Sequence, residues 1–166
     1  MNKKGRILVV DDESSLRLLL NKELTRAGYT VDVVSDGELA LEKIREENYQ
    51  VILLDILMPK KDGISVLKDC KKENIPSEII ILTGNATVES AIECMKQGAF
   101  EYIKKPYSID ELLIQIDRAI AHQRFQIDVT LLKQELKKSG YDKIICVVRL
   151  VSLRCSACTP AVTSIS

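Results

Sequence analysis

Three carboxylates, a hydroxyl and an ammonium recur in this chain at one kind of place, the point where a short apolar run gives way to a loop. Arg6-Ile-Leu-Val-Val10 runs into Asp11-Asp12-Glu13, and Val51-Ile-Leu-Leu54 ends on Asp55. Glu78-Ile-Ile-Ile-Leu82 ends on Thr83, and Phe100-Glu-Tyr-Ile103 is followed by Lys104-Lys105-Pro106. A single acid after a single apolar run reads as a turn residue; the repetition reads as chemistry. Two carboxylates about 4 Å apart repel by on the order of 4 kcal/mol at an effective dielectric near 20, so Asp11, Asp12 and Asp55 at one place call for a cation. Magnesium suits them, because it takes hard oxygen ligands, keeps several waters and accepts phosphate oxygens at its remaining positions. A carboxylate beside such an ion can attack phosphorus and form an acyl phosphate, with the Lys105 ammonium neutralising the group in transfer. The product carries close to two negative charges and three acceptor oxygens. A hydroxyl such as Thr83 can swing toward it, leaving space for the Tyr102 ring.

These residues need a scaffold that gathers strand ends. Four apolar residues in a row before Asp55, bounded by loop signals, suit a strand buried on both faces of a parallel sheet. Ser14 to Ala27 carries Leu16, Leu19, Leu20 and Leu24 at helical spacing and stops at Gly28. Thr30 to Val34 alternates as a strand, and Ser35-Asp-Gly-Glu38 spells a capping box before Leu39, Ala40, Leu41 and Ile44. After Asp55, the turn-rich Met58-Pro-Lys-Lys-Asp-Gly63 leads to a third helix whose apolar face is Ile64, Val66, Leu67 and Cys70. Gly84-Asn85 opens a fourth, with Val88, Ala91, Ile92 and Met95 on one side and Gly98 at its end. Ser108-Ile-Asp-Glu111 is a second capping box, opening a helix with Leu112, Leu113, Ile116 and Ile120 on its inner face. Strand and helix thus alternate five times before His122, which implies a parallel sheet covered on both sides with right-handed crossovers. In such sheets ligands bind beyond the carboxyl ends of the strands, where all the polar strand ends fall.

Composition narrows the class. The 166 residues suit one domain with an extension, and the 24 Lys and Arg balance the 24 Asp and Glu, so no net field recruits nucleic acid or an anionic membrane. No apolar run has the length of a membrane span and no signal-peptide core follows Met1, which makes a cytoplasmic protein the expectation. Five cysteines are unevenly spread, so reduced thiols are expected rather than a disulfide framework. The one histidine, His122, lies far along the last helix, where a solvated or packing role is expected.

As a set, Asp11-Asp12, Asp55 with Met58-Pro59 and Asp62-Gly63, Thr83-Gly84 and Lys105-Pro106 resemble the receiver domain of two-component response regulators, the CheY-like family, over residues 5 to 122. The resemblance implies a flavodoxin-like, doubly wound (βα)5 fold with strand order 2-1-3-4-5 and a C-terminal helical extension. It implies that Asp55 accepts a phosphoryl group from a sensor histidine kinase. Asp12 would bind Mg2+ directly, Asp11 would assist through water, and the Leu57 main-chain carbonyl would be a further ligand. Thr83 and Tyr102 match the family's switch pair, and Lys105 matches its phosphate-contacting lysine, often joined to the next proline by a cis bond. Leu57 and Asn85 occupy positions where the family varies acyl-phosphate lifetime; Leu57 cannot orient a water, whereas Asn85 could, and an intermediate to long lifetime, minutes or more, is expected.

The stretch from Gly84 to Ile103 looks most like the receivers of sigma-54-dependent, NtrC-type transcription activators, in which the last receiver helix leads to an ATPase domain. Apolar positions run on through Ile127, Leu131, Leu132 and Leu136, with spacing compatible with a dimer helix. The implied dimer surfaces are this extension, residues 123–140, or the face formed by the fourth helix, fifth strand and fifth helix. Residues 141–166 depart from the pattern: Cys146 to Ser166 holds no Gly-x-x-x-x-Gly-Lys-Ser/Thr loop, so the ATPase and DNA-binding output is expected to lie outside this chain. Cys155 and Cys158 have metal-knuckle spacing but no second pair. A truncated, frame-shifted or appended tail, disordered from about residue 140, is the expectation. A stand-alone phosphorelay receiver is the alternative, one that acts by protein contacts with no nucleic acid or membrane. An aspartyl-nucleophile phosphatase would want Asp-x-Asp after the first strand and a substrate cap, and a flavin module would want a Ser/Thr/Gly-rich loop where the acids stand.

Overall fold

The structure, a computed structural model, describes residues 4–84 and 87–138. Its elements run β1 (Arg6–Val10), α1 (Ser14–Arg26), β2 (Thr30–Val34), α2 (Gly37–Glu46), β3 (Val51–Asp55), α3 (Gly63–Lys72), β4 (Glu78–Thr83), α4 (Val88–Lys96), β5 (Glu101–Lys104) and α5 (Ile109–Lys138). All strands are parallel, as the alternation of strand and helix implies, in the order β2-β1-β3-β4-β5 that the resemblance implies. The described residues up to Phe125 form one compact unit, and α5 from Gln126 onward belongs to another.

Alternation along the strands sorts side chains between two cores. Leu8, Val10, Ile52, Leu54, Ile79 and Ile81 are buried with Ala40, Leu41 and Ile44 of α2, Val66, Leu67 and Cys70 of α3, and Cys94 of α4. Ile7, Val9, Val51, Leu53, Ile80, Leu82 and Ile103 are buried with Leu20 and Leu24 of α1 and Leu112, Ile116 and Ile120 of α5. At about 1.5–3 kcal/mol for each fully buried aliphatic side chain, these two layers hold the strand ends in register.

Several local expectations need correction. The α2 cap is Asp36 rather than Ser35: its carboxylate accepts from the main-chain N–H of Glu38 and Leu39, because Ser35 lies one residue too early for that geometry. Strand β5 starts one residue later than Phe100. Leu19 and Leu39 are exposed, and on α4 it is Cys94 that turns inward while Val88, Ile92 and Met95 stay in solvent at 72%, 49% and 47% exposure. Gly28 follows the C-cap of α1 and Gly98 that of α4, each with positive φ, as their positions suggest. The Ser108 hydroxyl caps α5 by accepting from Glu111 N–H. Among the described residues no helix is long and apolar enough to cross a membrane. Asn85 and residues 139–166, with Cys146, Cys155 and Cys158, lie outside the described residues.

Candidate functional site

Parallel register brings the polar strand ends together. Val10 pairs with Leu54, Asp55 with Leu82 and Thr83 with Lys104, so Asp11, Asp55, Thr83 and Lys105 share one rim of the sheet. Asp11 is 2% exposed and Asp55 7%, whereas Asp12 is open to solvent. One carboxylate oxygen from each of Asp11, Asp12 and Asp55 lies within 4.8 Å of the others. At that separation each pair repels by on the order of 3 kcal/mol before screening.

Lys105 answers part of this repulsion. Its Nζ donates to Asp11 Oδ2 and Asp55 Oδ2, both at 2.6 Å. Burial by itself pushes the ammonium toward neutrality, but the bonds to Asp11 and Asp55 outweigh it and hold the Lys105 pKa above its ordinary value. A positive charge therefore already bridges two of the three acids. The donor set consists of hard carboxylate oxygens, one of them on a solvent-exposed side chain, and it fits a small divalent ion that retains water.

The main chain around the site is closely specified. Asp11 N–H donates to Val34 O, Asp11 Oδ1 accepts from Glu13 N–H at 2.9 Å, and its carbonyl accepts from the Arg17 guanidinium at 2.6 Å. Asp55 Oδ1 accepts from Leu57 N–H at 3.3 Å, which places the Leu57 main chain beside the acid. Gly63 N–H donates to Ile56 O, and a Cβ at Gly63 would stand 2.1 Å from the Asp55 carbonyl oxygen. Only glycine fits there. Lys105 N–H donates to Thr83 O at 2.8 Å, and the Lys105–Pro106 bond is cis.

Thr83 is fully buried, and Tyr102 sits on the neighbouring strand, opposite Ile81. The Tyr102 hydroxyl lies 2.8 Å from Ser90 Oγ, in the capping box that Thr87 and Ser90 make at the start of α4. Sequence reasoning missed Ser90; its place three residues after Thr87 was the available signal. It also missed Lys60 and Asp36, an ion pair at the back of the β3–α3 loop. An apolar groove of about 300 Å³ adjoins Lys105, lined by Leu16, Leu19, Pro106, Tyr107 and Ile109 together with Glu13. His122 takes no part: it pairs with Glu78 at 2.8 Å and its ring packs on Phe100. Cys70 and Cys94 are buried free thiols, and burial raises Cys70 to about 11.

Residues 7–117 match the response regulator receiver domain. The chain belongs to this family. Its receiver is similar to that of the DNA-binding transcriptional regulator NtrC of Proteus hauseri, 40% identical over 123 residues, which are 74% of this chain and 26% of that protein. It is likewise 40% identical to the transcriptional regulatory protein ZraR of Klebsiella oxytoca over 118 residues, 71% of this chain and 27% of the relative. The chain thus spans about a quarter of the length of these curated relatives. Among solved structures, the Francisella response regulator 1452 receiver domain superposes with a TM-score of 0.69 at 37% identity, covering 72% of this chain and 98% of that one. NtrX from Brucella abortus gives 0.72 at 28% identity over 77% of this chain and 30% of its own.

Proposed function

We propose that this receiver takes a phosphoryl group from a sensor histidine kinase onto Asp55 and so controls an output, transcription in the first instance. The observation that carries the reading is the Lys105 ammonium shared between buried Asp11 and Asp55, with Asp12 completing the acidic group. In the transfer an Asp55 carboxylate oxygen bonds to phosphorus as the phosphorus–nitrogen bond of the donor phosphohistidine breaks. The electron pair returns to the imidazole, which takes its proton from solvent. Asp12 directly, Asp11 through water, and Asp55 and the Leu57 carbonyl would hold Mg2+. When bound, the ion neutralises the phosphoryl oxygens and makes the group open to attack. Lys105 leaves one carboxylate to contact the phosphoryl group, and the apolar groove beside it offers a kinase helix a surface next to the acceptor.

The new dianion then draws the Thr83 hydroxyl, and Tyr102 turns inward, releasing Ser90 at the start of α4. Val88, Ile92 and Met95 form an exposed apolar strip on that helix, which fits a dimer or partner surface formed by α4, β5 and α5. The exposed Ile127, Leu131 and Leu132 of α5 offer a second one. Control of transcription is what the names of the longer relatives state, and this reading extends it here, along with a cytoplasmic location. The chain turns over no external substrate, acting only on its own phosphorylation.

Intact mass after incubation with acetyl phosphate tests the reading. A gain of one phosphoryl group that requires Mg2+ and disappears in Asp55→Asn is expected; no gain in the wild type overturns it.

A further inference from the structure

The loop that follows Asp55 is fastened at its far end to the start of α2. Lys60 has φ 64, the left-handed region that residues with a Cβ disfavour, and its Nζ donates to Asp36 Oδ2 at 2.9 Å. Asp36 is 4% exposed, and its other oxygen is already committed to capping α2 through Glu38 and Leu39 N–H. The contact continues at the next residue, where a Cβ on Gly37 would stand 2.5 Å from the Lys61 carbonyl oxygen. At its near end the same loop is held by Gly63 N–H on Ile56 O at 2.9 Å and by Leu57 N–H on Asp55 Oδ1.

We infer that the Lys60–Asp36 ion pair is a positioning device for the metal site, keeping the Ile56–Met58 main chain at the acidic group although neither residue belongs to the Asp11, Asp12 and Asp55 cluster. The inference rests on Asp55 being the metal-dependent phosphoacceptor. Exposed ion pairs are usually weak, because two mobile side chains must be ordered. Here one partner is buried and already fixed, and only the Lys60 side chain remains to be ordered. The bond also offsets part of the cost of the left-handed backbone conformation at Lys60. Without that bond the stretch between Leu57 and Lys60 relaxes, its end still held by Lys61 N–H on Pro59 O at 2.8 Å and by the Lys61–Asp69 ion pair.

The test is Mg2+ affinity by calorimetry on the whole chain, in wild type, Lys60→Met, Lys60→Arg, Asp36→Asn, the Lys60→Met/Asp36→Asn double variant and Arg45→Met. Removing partners that orient metal ligands costs about 10- to 100-fold in affinity, and a tether acting through main chain is expected to cost about threefold to tenfold. Lys60→Met and Asp36→Asn should each show this loss, and the double variant no more than either. Lys60→Arg should restore affinity to within about twofold of wild type by keeping the bridge. Arg45→Met, which breaks the remote Arg45–Glu73 pair, should leave affinity unchanged and so exclude general destabilisation. Wild-type affinity in Lys60→Met, or an equal loss in Lys60→Arg or Arg45→Met, overturns the inference. Absence of Mg2+ binding by the wild type overturns the underlying phosphoacceptor reading, a different and separable result.

Discussion

Replacing Lys105 by Met keeps the aliphatic stem and removes the one ammonium that bridges the acids. The side chains involved are 19% exposed for Lys105, 2% for Asp11 and 9% for Asp55, so solvent replaces the lost partner poorly. Breaking a buried ion pair from one side costs about 3–5 kcal/mol, because the remaining charge is stranded. With about 2.1 cal/mol/K of unfolding entropy per residue, a domain ending near Phe125 loses roughly 4 °C of Tm per kcal/mol. Lys105→Met should therefore melt about 12–20 °C below wild type in chelator. Mg2+ should reverse part of this loss, and stabilise the variant more than the wild type, since the acids have then lost the ammonium that bridges them. Circular dichroism melts of both proteins, with chelator and with Mg2+, give the four values needed. A chelator Tm within about 3 °C of wild type, well under the change expected for a stranded buried charge, would refute the reasoning. So would equal stabilisation of the two proteins by Mg2+.

Gly63→Ala should destabilise the domain by about 3 kcal/mol or more and abolish phosphoryl uptake, since its Cβ collides with the Asp55 main chain; a normal melt would count against the described loop. Burial first, then a bond to Asp32, pushes the Tyr49 phenol up to about 12; burial does the same for Tyr107, and burial with Asp117 raises Tyr29 as well. These folded values exceed the unfolded value near 10, so the stability they contribute is complete below about pH 10 and is lost as pH rises toward 12. Urea midpoints across that range, followed with phenolate absorbance, should fall as these phenols ionise, and early ionisation in native protein would contradict the burial. The acyl phosphate should persist for minutes or more, because Leu57 offers no group to orient an attacking water; decay within seconds in purified protein would rule this out.

The strands were legible because five apolar runs alternate with helical periodicity, and four of them, all but Thr30–Val34, carry a reactive residue at the same end; their order came from the resemblance to receiver domains. Site geometry followed from register alone: once Val10 faces Leu54 and Thr83 faces Lys104, the acids and Lys105 must meet. What stayed hidden concerns choices that periodicity does not decide. Helix α4 has Val88, Ile92 and Met95 on one side, yet a short helix needs little contact, and Cys94 supplies it. The Asp36 cap and its bond to Lys60 depend on where the β3–α3 loop crosses α2, a tertiary fact that no local spacing encodes. The Tyr102–Ser90 bond likewise joins a strand to a helix turn twelve residues earlier.

Among the described strands the sheet ends at β2 on one side and β5 on the other. Open rims of this kind are templates for fibril growth, since each offers unpaired amides and carbonyls to another chain. Both rims are short here, five and four residues, and each carries charge: Asp32 on β2, paired with Arg6 of the neighbouring β1, and Glu101 and Lys104 on β5. A charge driven against an incoming strand would have to be desolvated at every added copy. The same lysine-bearing strand that delivers Lys105 to the acids therefore also guards against aggregation, and neutral replacements at Glu101 and Lys104 would expose that second duty without touching the first.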